Sequence, residues 1–317
     1  MSVAGSSAPM QSAVPLKQTK SKGMSRMRRN DYFWAYVMIA PTMIGTGIFS
    51  IWPLIQTFYL SFTKWDAFGT YNWTGTENYQ RMASDPELWS SLKNTLVFTV
   101  CTVPVSLIIS TIIAILLNQK IRAIPLYRTL YFLPVVTMPA AVAMVWKWLY
   151  NADFGLLNYV LGFFTSVHVG WVSDPSIALY SIAVVSVWGG IGYNMIILIS
   201  GLQGISSSFY EAASIDGAST MTRLFRITLP LLTPTFFFLT ITSLIGSLQV
   251  FELIFMMIGP NSIAIDATQT IVYYFYETAF LDNDKGYATA VALLLFVIIL
   301  LVTVIQFIFQ KKWVHYE

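Results

Sequence analysis

Six stretches of this chain are each apolar for about 20 residues or more, the length a helix needs to cross roughly 30 Å of hydrocarbon. They cover residues 33–62, 95–117, 130–150, 177–202, 231–257 and 287–310. In lipid every backbone N–H and C=O must find its partner within the protein, so spans of this kind fold as helices. The composition agrees: 10% of the 317 residues are charged and 56% are hydrophobic, against about 25% charged in a soluble domain. The mean hydropathy is +0.64. A soluble enzyme, a disordered scaffold and a nucleic-acid-binding domain are poor fits. The expected fold class is an all-α integral membrane protein with six transmembrane helices. The first run exceeds a straight crossing and is expected to tilt or to turn near Pro53.

The cations orient the spans. Lys17, Lys20, Lys22, Arg26, Arg28 and Arg29 precede the first. Lys120, Arg122 and Arg128 lie between the second and third, Arg223 and Arg226 between the fourth and fifth, and Lys311 and Lys312 after the sixth. Thirteen of the 18 Lys and Arg thus share one face, with Lys64, Arg81, Lys93, Lys147 and Lys285 left for the other. The positive-inside rule places both termini in the cytoplasm. Ten acids from Asp66 to Asp284 fall in the opposite loops. Residues 1–32, rich in Ser, Ala, Lys and Arg, read as a disordered basic cytoplasmic tail. Residues 33–312 read as the six-helix transmembrane domain and 313–317 as a cytoplasmic end. The first apolar run is too long for a signal peptide and reads as a retained helix. No repeat divides the six spans into two halves.

Little in the chain suggests catalysis. Cys101 is the only cysteine, so neither a disulfide within the chain nor a cysteine-based metal site can form. His168 and His315 are far apart, and no nucleophile–base arrangement stands near a membrane face. No catalytic or metal-ligating residue is expected. Lys147 and Glu252 are the only charges in or beside the apolar runs, both near span ends. A carrier driven by an ion gradient would call for a charge nearer the middle.

The loop at 203–230 carries the densest pattern. Ser208 followed by Glu211 is a capping box, so a short helix is expected to begin there. Ala212 and Ala213 favour its continuation, and Gly217 suits the left-handed residue that ends it. A second short helix is expected from about Ser219, stopping before Pro230. This is a helix–Gly–helix elbow at the membrane surface, and an ordinary interfacial helix would look the same locally.

Glu211-Ala212-Ala213, two residues, Asp216-Gly217-Ala218, then Phe225, Ile227 and Leu229-Pro230 resembles the EAA loop of the membrane subunits of binding-protein-dependent ABC importers. The likeness extends over roughly residues 33–312. Leu60-Ser-Phe-Thr, Glu77-Asn-Tyr79, Asn94-Thr-Leu96, Arg128 with Leu133-Pro134, and Gly155-Leu-Leu-Asn158 are similar to the carbohydrate branch. So are Trp171-Val-Ser-Asp-Pro175, Gly201-Leu-Gln203, Thr268, Ala279-Phe280 and Gly286-Tyr-Ala-Thr-Ala290. Together they resemble the maltose-type, first-of-the-pair permeases. Ile258-Gly259-Pro260 stands where that family has Gly-Gly-Pro, and the extra N-terminal helices and large periplasmic insertion of some maltose permeases are missing.

The resemblance implies a type I ABC importer permease fold and a sugar or oligosaccharide as cargo, with a glycerol phosphate ester or an ion-coupled secondary carrier as alternatives. It also implies partners: a second homologous permease, two cytoplasmic ABC ATPase subunits and an extracellular solute-binding protein, all at the bacterial cytoplasmic membrane. ATP and Mg would sit on the ATPase, since this chain has no P-loop and binds no cofactor. In that setting the elbow is a coupling helix. Small Ala212 and Ala213 would allow close approach, Glu211 and Asp216 would bond basic groups, and Gly217, Ala218, Phe225 and Pro230 complete the motif.

A solute path should show hydroxyl, amide and aromatic groups turned away from lipid. The fourth run offers Trp188, Gly190, Tyr193 and Asn194, and the fifth offers Ser243, Gly246, Ser247 and Gln249. The resemblance places Gly190, Tyr193 and Ser243 at positions lining the sugar site of maltose-type permeases. Val135 and Pro139 replace polar groups of those proteins' third core span, so the partner permease would line more of the path. Small and hydroxylated residues are equally the packing surface of transmembrane helices.

Overall fold

The computed structural model describes residues 26–65, 70–119 and 122–313. The readings at Lys17, Lys20, Lys22, Asp66, Lys120 and His315, and most of the expected tail, lie outside these. The chain divides into two compact units, Met1–Ile55 and Gln56–Glu317.

In the first unit, α1 (Arg26–Thr46) begins ahead of the boundary expected at residue 33. A π turn over Gly47–Ile51 follows, closed by the Trp52 amide bonding the Gly47 carbonyl. It lies just ahead of Pro53, whose ring would press on the carbonyl four residues back. The wider turn absorbs that clash, so the irregularity expected at this place is a π bulge. Helix α2 (Trp52–Leu60) carries the chain onward.

The second unit holds the other apolar helices. A small antiparallel hairpin comes first, β1 (Thr63–Trp65) on β2 (Tyr71–Trp73), then α3 (Glu77–Ser84). Helix α4 (Pro86–Leu117) has 32 residues and is therefore about 48 Å long. It is the spine of the unit. Leu88 near its start packs with Ile271, Tyr274 and Tyr287; Phe98 packs with Ile182 and Tyr273; Ala114 and Leu117 near its end pack with Met195 and Leu198.

Two expected straight spans are broken. The third is α5 (Ile124–Val136) and α6 (Pro139–Leu149), bent by 99°. Pro134 and Pro139 bracket the break, and Met138, the residue before proline, takes φ −56°, ψ 127° outside the helical region. The fifth is α10 (Thr220–Arg223), a π turn at Leu224–Thr228, α11 (Leu229–Leu231) and α12 (Thr233–Leu248), bent by 62°. The helix thus runs through Pro230 instead of stopping before it, because the π turn, in which the Leu229 amide reaches the Leu224 carbonyl, re-satisfies the backbone there. Nor does this span reach Met257: α12 ends at Leu248, and Glu252 opens a separate short helix, α13 (Glu252–Met257). Counting each bent pair as one crossing, four continuous and two broken helices account for the six apolar runs.

The remaining elements are α7 (Leu156–Leu161), α8 (Ala178–Gly204), α9 (Ser207–Ile215), α14 (Ile265–Thr268), α15 (Ile271–Tyr276) and α16 (Lys285–Trp313). Several quoted motifs prove to be locks between them. Asn78 donates to the carbonyls of Ser61 and Thr63 at 2.8 and 2.9 Å, and the Tyr79 hydroxyl lies 2.7 Å from that of Ser61. Asn158 donates to Ala152 and Val169 carbonyls and accepts from the Trp171 indole at 3.0 Å. At Gly286 an added Cβ would lie 2.1 Å from the Thr63 carbonyl oxygen, so glycine is required where α16 crosses the hairpin.

Asp85, the N-cap of α4, is the hub of a further lock. Its carboxylate accepts from the Glu87 and Leu88 amides and from the hydroxyls of Tyr274 at 2.6 Å and Tyr287 at 2.5 Å. Partial burial works to raise its pKa, yet the two tyrosine hydroxyls and two amides outweigh this and hold it below the ordinary aspartate value. A carboxylate with a depressed pKa stabilises the fold above its unfolded pKa and loses that contribution as pH falls through the folded one. Acid titration of the detergent-solubilised protein should therefore lower its melting temperature below the usual carboxylate range. In Asp85→Asn this part of the acid dependence should be missing and the melting temperature at neutral pH reduced. An unchanged acid profile in the variant would show that Asp85 contributes nothing.

Candidate functional site

Halfway along α4 the helices part around a cavity of about 210 Å³. Its walls come from α4, α8 and α12. Six expected path residues meet here: Gly190, Tyr193 and Asn194 from α8, and Ser243, Gly246 and Ser247 from α12. Trp188 and Gln249 do not line it. Trp188 sits edge-on to Trp146 at 5.5 Å, beside a second cavity in the bend between α5 and α6. Gln249, the exposed C-cap of α12, instead lines a separate cavity with Ile271, Phe275 and Leu295.

The cavity also has Thr102, Ser106, Ser186 and Thr242 in its walls, which the sequence reading missed. The signal was present in the second apolar run. Ser91, Thr95, Thr99, Thr102, Ser106 and Ser110 recur every three or four residues, marking one helix face, and all are buried. Several are occupied within α4: Thr95 and Thr102 donate to the carbonyls four residues back at 2.7 and 2.8 Å. Ser106 instead accepts from the Asn194 side-chain amide at 3.0 Å, tying α4 to α8. Gly190 makes room for this, since a Cβ there would lie 3.3 Å from the Ser106 oxygen. No Lys, Arg, His, Asp or Glu is among the lining residues.

The elbow follows α8. Ser206, not Ser208, caps α9, its hydroxyl accepting from the Ser208 amide at 3.4 Å. The chain turns before the expected capping box, so Glu211 lies in the second turn and points outward. Gly217 has φ +69°, the Gly217 amide bonds the Ser214 carbonyl at 3.1 Å, and the Ala218 amide bonds that of Ala213 at 2.9 Å. This paired bonding is the Schellman arrangement, for which glycine carries no Cβ penalty. Ser219 then caps α10 through the Thr222 amide. Arg223 donates to the Ala218 carbonyl at 2.9 Å, and the Tyr210 hydroxyl meets that of Thr228 at 3.0 Å, bracing the elbow against the root of the fifth span.

Glu211, Ala212, Asp216, Gly217 and Phe225 are exposed, and Ala218 and Pro230 are half-buried. Ala213 is buried within the chain, where its small size serves the elbow's own packing. Ile215, 88% exposed, and Met221 are apolar side chains on the elbow's surface that the motif did not mark out.

Residues 121–315, which include the elbow and most of the cavity wall, match the family described as binding-protein-dependent transport system inner membrane component. The chain belongs to this family. It is a permease component and not an enzyme, and it works within an ATPase-driven ABC importer. The probable ABC transporter permease protein YesP of Bacillus subtilis is 36% identical, over 92% of this chain and 95% of that one. The sn-glycerol-3-phosphate transport system permease protein UgpA of Agrobacterium fabrum is 34% identical, over 89% and 96%. Among solved structures, a chain of a bacterial alginate ABC transporter, in complex with a periplasmic protein holding an alginate pentasaccharide, superposes with a TM-score of 0.80. It covers 90% of this chain and 96% of that one at 21% identity, a likeness of fold alone. This permease therefore has the type I ABC importer fold, while the narrower maltose-type likeness drawn from its motifs finds no support among these relatives.

Proposed function

We propose that this permease pairs with a second, related permease in the bacterial cytoplasmic membrane, both termini facing the cytoplasm, to import a small polyhydroxylated solute. A glycerol phosphate ester is the favoured class, ahead of the maltose-like sugar first suggested by the sequence motifs. The cavity at mid-span, walled by hydroxyls, an amide and a tyrosine, carries this reading. Its volume is below the roughly 300–1,000 Å³ of ordinary ligand pockets, which suits one wall of a path that a second subunit completes. The naming of the Agrobacterium relative as an sn-glycerol-3-phosphate permease supports the glycerol phosphate class. A neutral sugar is the second reading, favoured by the uncharged lining; under the first, the partner permease must supply the cations that meet the phosphate.

In this reading the elbow docks on the ATPase through Glu211, Ala212, Asp216 and the exposed apolar side chains around them. ATP-driven closure would move the root of the fifth span through the Tyr210–Thr228 and Arg223–Ala218 bonds. A binding protein would deliver solute to the opposite end, and the helices would alternate between two global states. The test is uptake by the complete importer in proteoliposomes, with labelled sn-glycerol 3-phosphate and maltose competing. ATP-dependent uptake of the phosphate ester supports the proposal, uptake of maltose alone replaces it with the second reading, and uptake of neither removes both.

A further inference from the structure

We infer that the Ser106–Asn194 pair is the specificity-determining element of this path and reads a hydroxyl group of the solute. The inference rests on the proposed path and adds to it a wall, the second span, and a role. Asn194 is 4% and Ser106 7% exposed, yet both line the cavity. They come from different helices and are joined by one hydrogen bond, from Asn194 Nδ2 to Ser106 Oγ. Among the described residues neither side chain makes another.

Counting donors and acceptors shows what remains. An asparagine amide has two N–H donors and an oxygen acceptor, and a serine hydroxyl has one donor and two lone pairs. After their mutual bond, Asn194 Oδ1 and one Ser106 lone pair are open as acceptors, and the second Asn194 N–H and the Ser106 hydrogen are open as donors. An alcohol is both donor and acceptor, so one solute hydroxyl can donate to Asn194 Oδ1 while accepting from Ser106 Oγ. A phosphate oxygen of a dianion can accept from the pair's open donors but has no hydrogen to give, so it leaves Asn194 Oδ1 facing a second acceptor with no cation in the lining to compensate. The pair thus selects the polyol end, which a sugar and a glycerol ester have in common, and leaves an anionic end to face the partner subunit. A solute lacking the hydroxyl leaves buried polar groups unpaired, which costs more than the missing bond itself.

The test is a cycle between protein and solute in the complete importer. Uptake of sn-glycerol 3-phosphate and of its two mono-deoxy analogues, propane-1,2-diol and propane-1,3-diol phosphates, is measured for wild type, Ser106→Ala and Asn194→Ala. The same cycle is run with maltose and its mono-deoxy forms. Because the binding protein's own preference is common to all variants, the ratio of variant to wild type isolates this chain. Each variant should slow the parent solute about tenfold, the factor for one lost hydrogen bond, and should leave one deoxy analogue at its wild-type rate. Equal slowing of parent and analogues, or none, overturns the inference. Ser106→Ala removes a single oxygen, so the cycle stands even where Asn194→Ala fails to assemble. If wild type carries neither parent solute, the proposed function itself has failed and the inference falls with it.

Discussion

Gly192→Val should lower the melting temperature of the permease by roughly 10 °C or more, whereas Gly189→Ala, one turn away on the same helix, should melt at or slightly above wild type. At Gly192 a Cβ would stand 2.2 Å from the Tyr131 carbonyl oxygen and 2.9 Å from Phe132 Cα. These are backbone atoms of α5, so no rotamer change relieves the contact, and the helix that carries the bend must move. Overpacking a helix contact costs about 1–3 kcal/mol where side chains can yield, and more here. At about 2–4 °C per kcal/mol for a chain of this size, a fall of roughly 10 °C or more in melting temperature follows. At Gly189 an added Cβ meets nothing within 4 Å, and alanine gains up to about 1 kcal/mol in helix propensity. Melting curves in mild detergent, with size-exclusion profiles, measure both. Equal stability of the two variants would show that α5 and α8 do not cross as tightly as described.

The apolar helices themselves were legible in the sequence because the hydrocarbon sets a length that composition must meet. The bends were not. Pro134 and Pro139 bracket a 99° break in a run whose apolar composition never changes, and composition says nothing of direction. Gly217 was legible because a left-handed turn has few substitutes. Ser206 was overlooked in favour of Ser208 because the capping box is a spacing rule, and the end of α8 decided where α9 could begin. At the cavity, Gly190, Tyr193 and Ser243 stood out by family position, and Asn194, Gly246 and Ser247 by residue type. The hydroxyl face of α4 is as periodic as any amphipathic helix, but serine and threonine interrupt an apolar run so mildly that hydropathy alone does not mark it. Ser106 differs from its neighbours only in bonding across to Asn194, and no spacing within one helix can state that.

Uptake by the importer should fall to background in Glu211→Lys while the permease stays folded and inserted. Glu211 is exposed, and among the described residues its side chain has no hydrogen bond or ion pair, so its replacement breaks nothing within the chain. Whatever is lost must lie in a partner. A charge-assisted hydrogen bond is worth about 1.5–3 kcal/mol, and lysine adds repulsion wherever the partner offers a cation, so a loss on the order of a hundredfold is expected. Gly217→Val should also abolish uptake, by a different route. At φ +69° the left-handed region costs an L-residue about 1–2 kcal/mol, and a β-branched one more, so the paired bonds from Gly217 and Ala218 open and Asp216 is re-aimed. Gly217→Asn, which tolerates that region, should retain most of the activity. Solute-stimulated ATP hydrolysis, measured beside uptake, separates the cases. Glu211→Lys should leave the ATPase unresponsive to solute, with the melting temperature of the permease unchanged. Wild-type uptake and stimulation in Glu211→Lys would mean that the elbow is an ordinary interfacial helix, and that the ATPase grips this permease elsewhere.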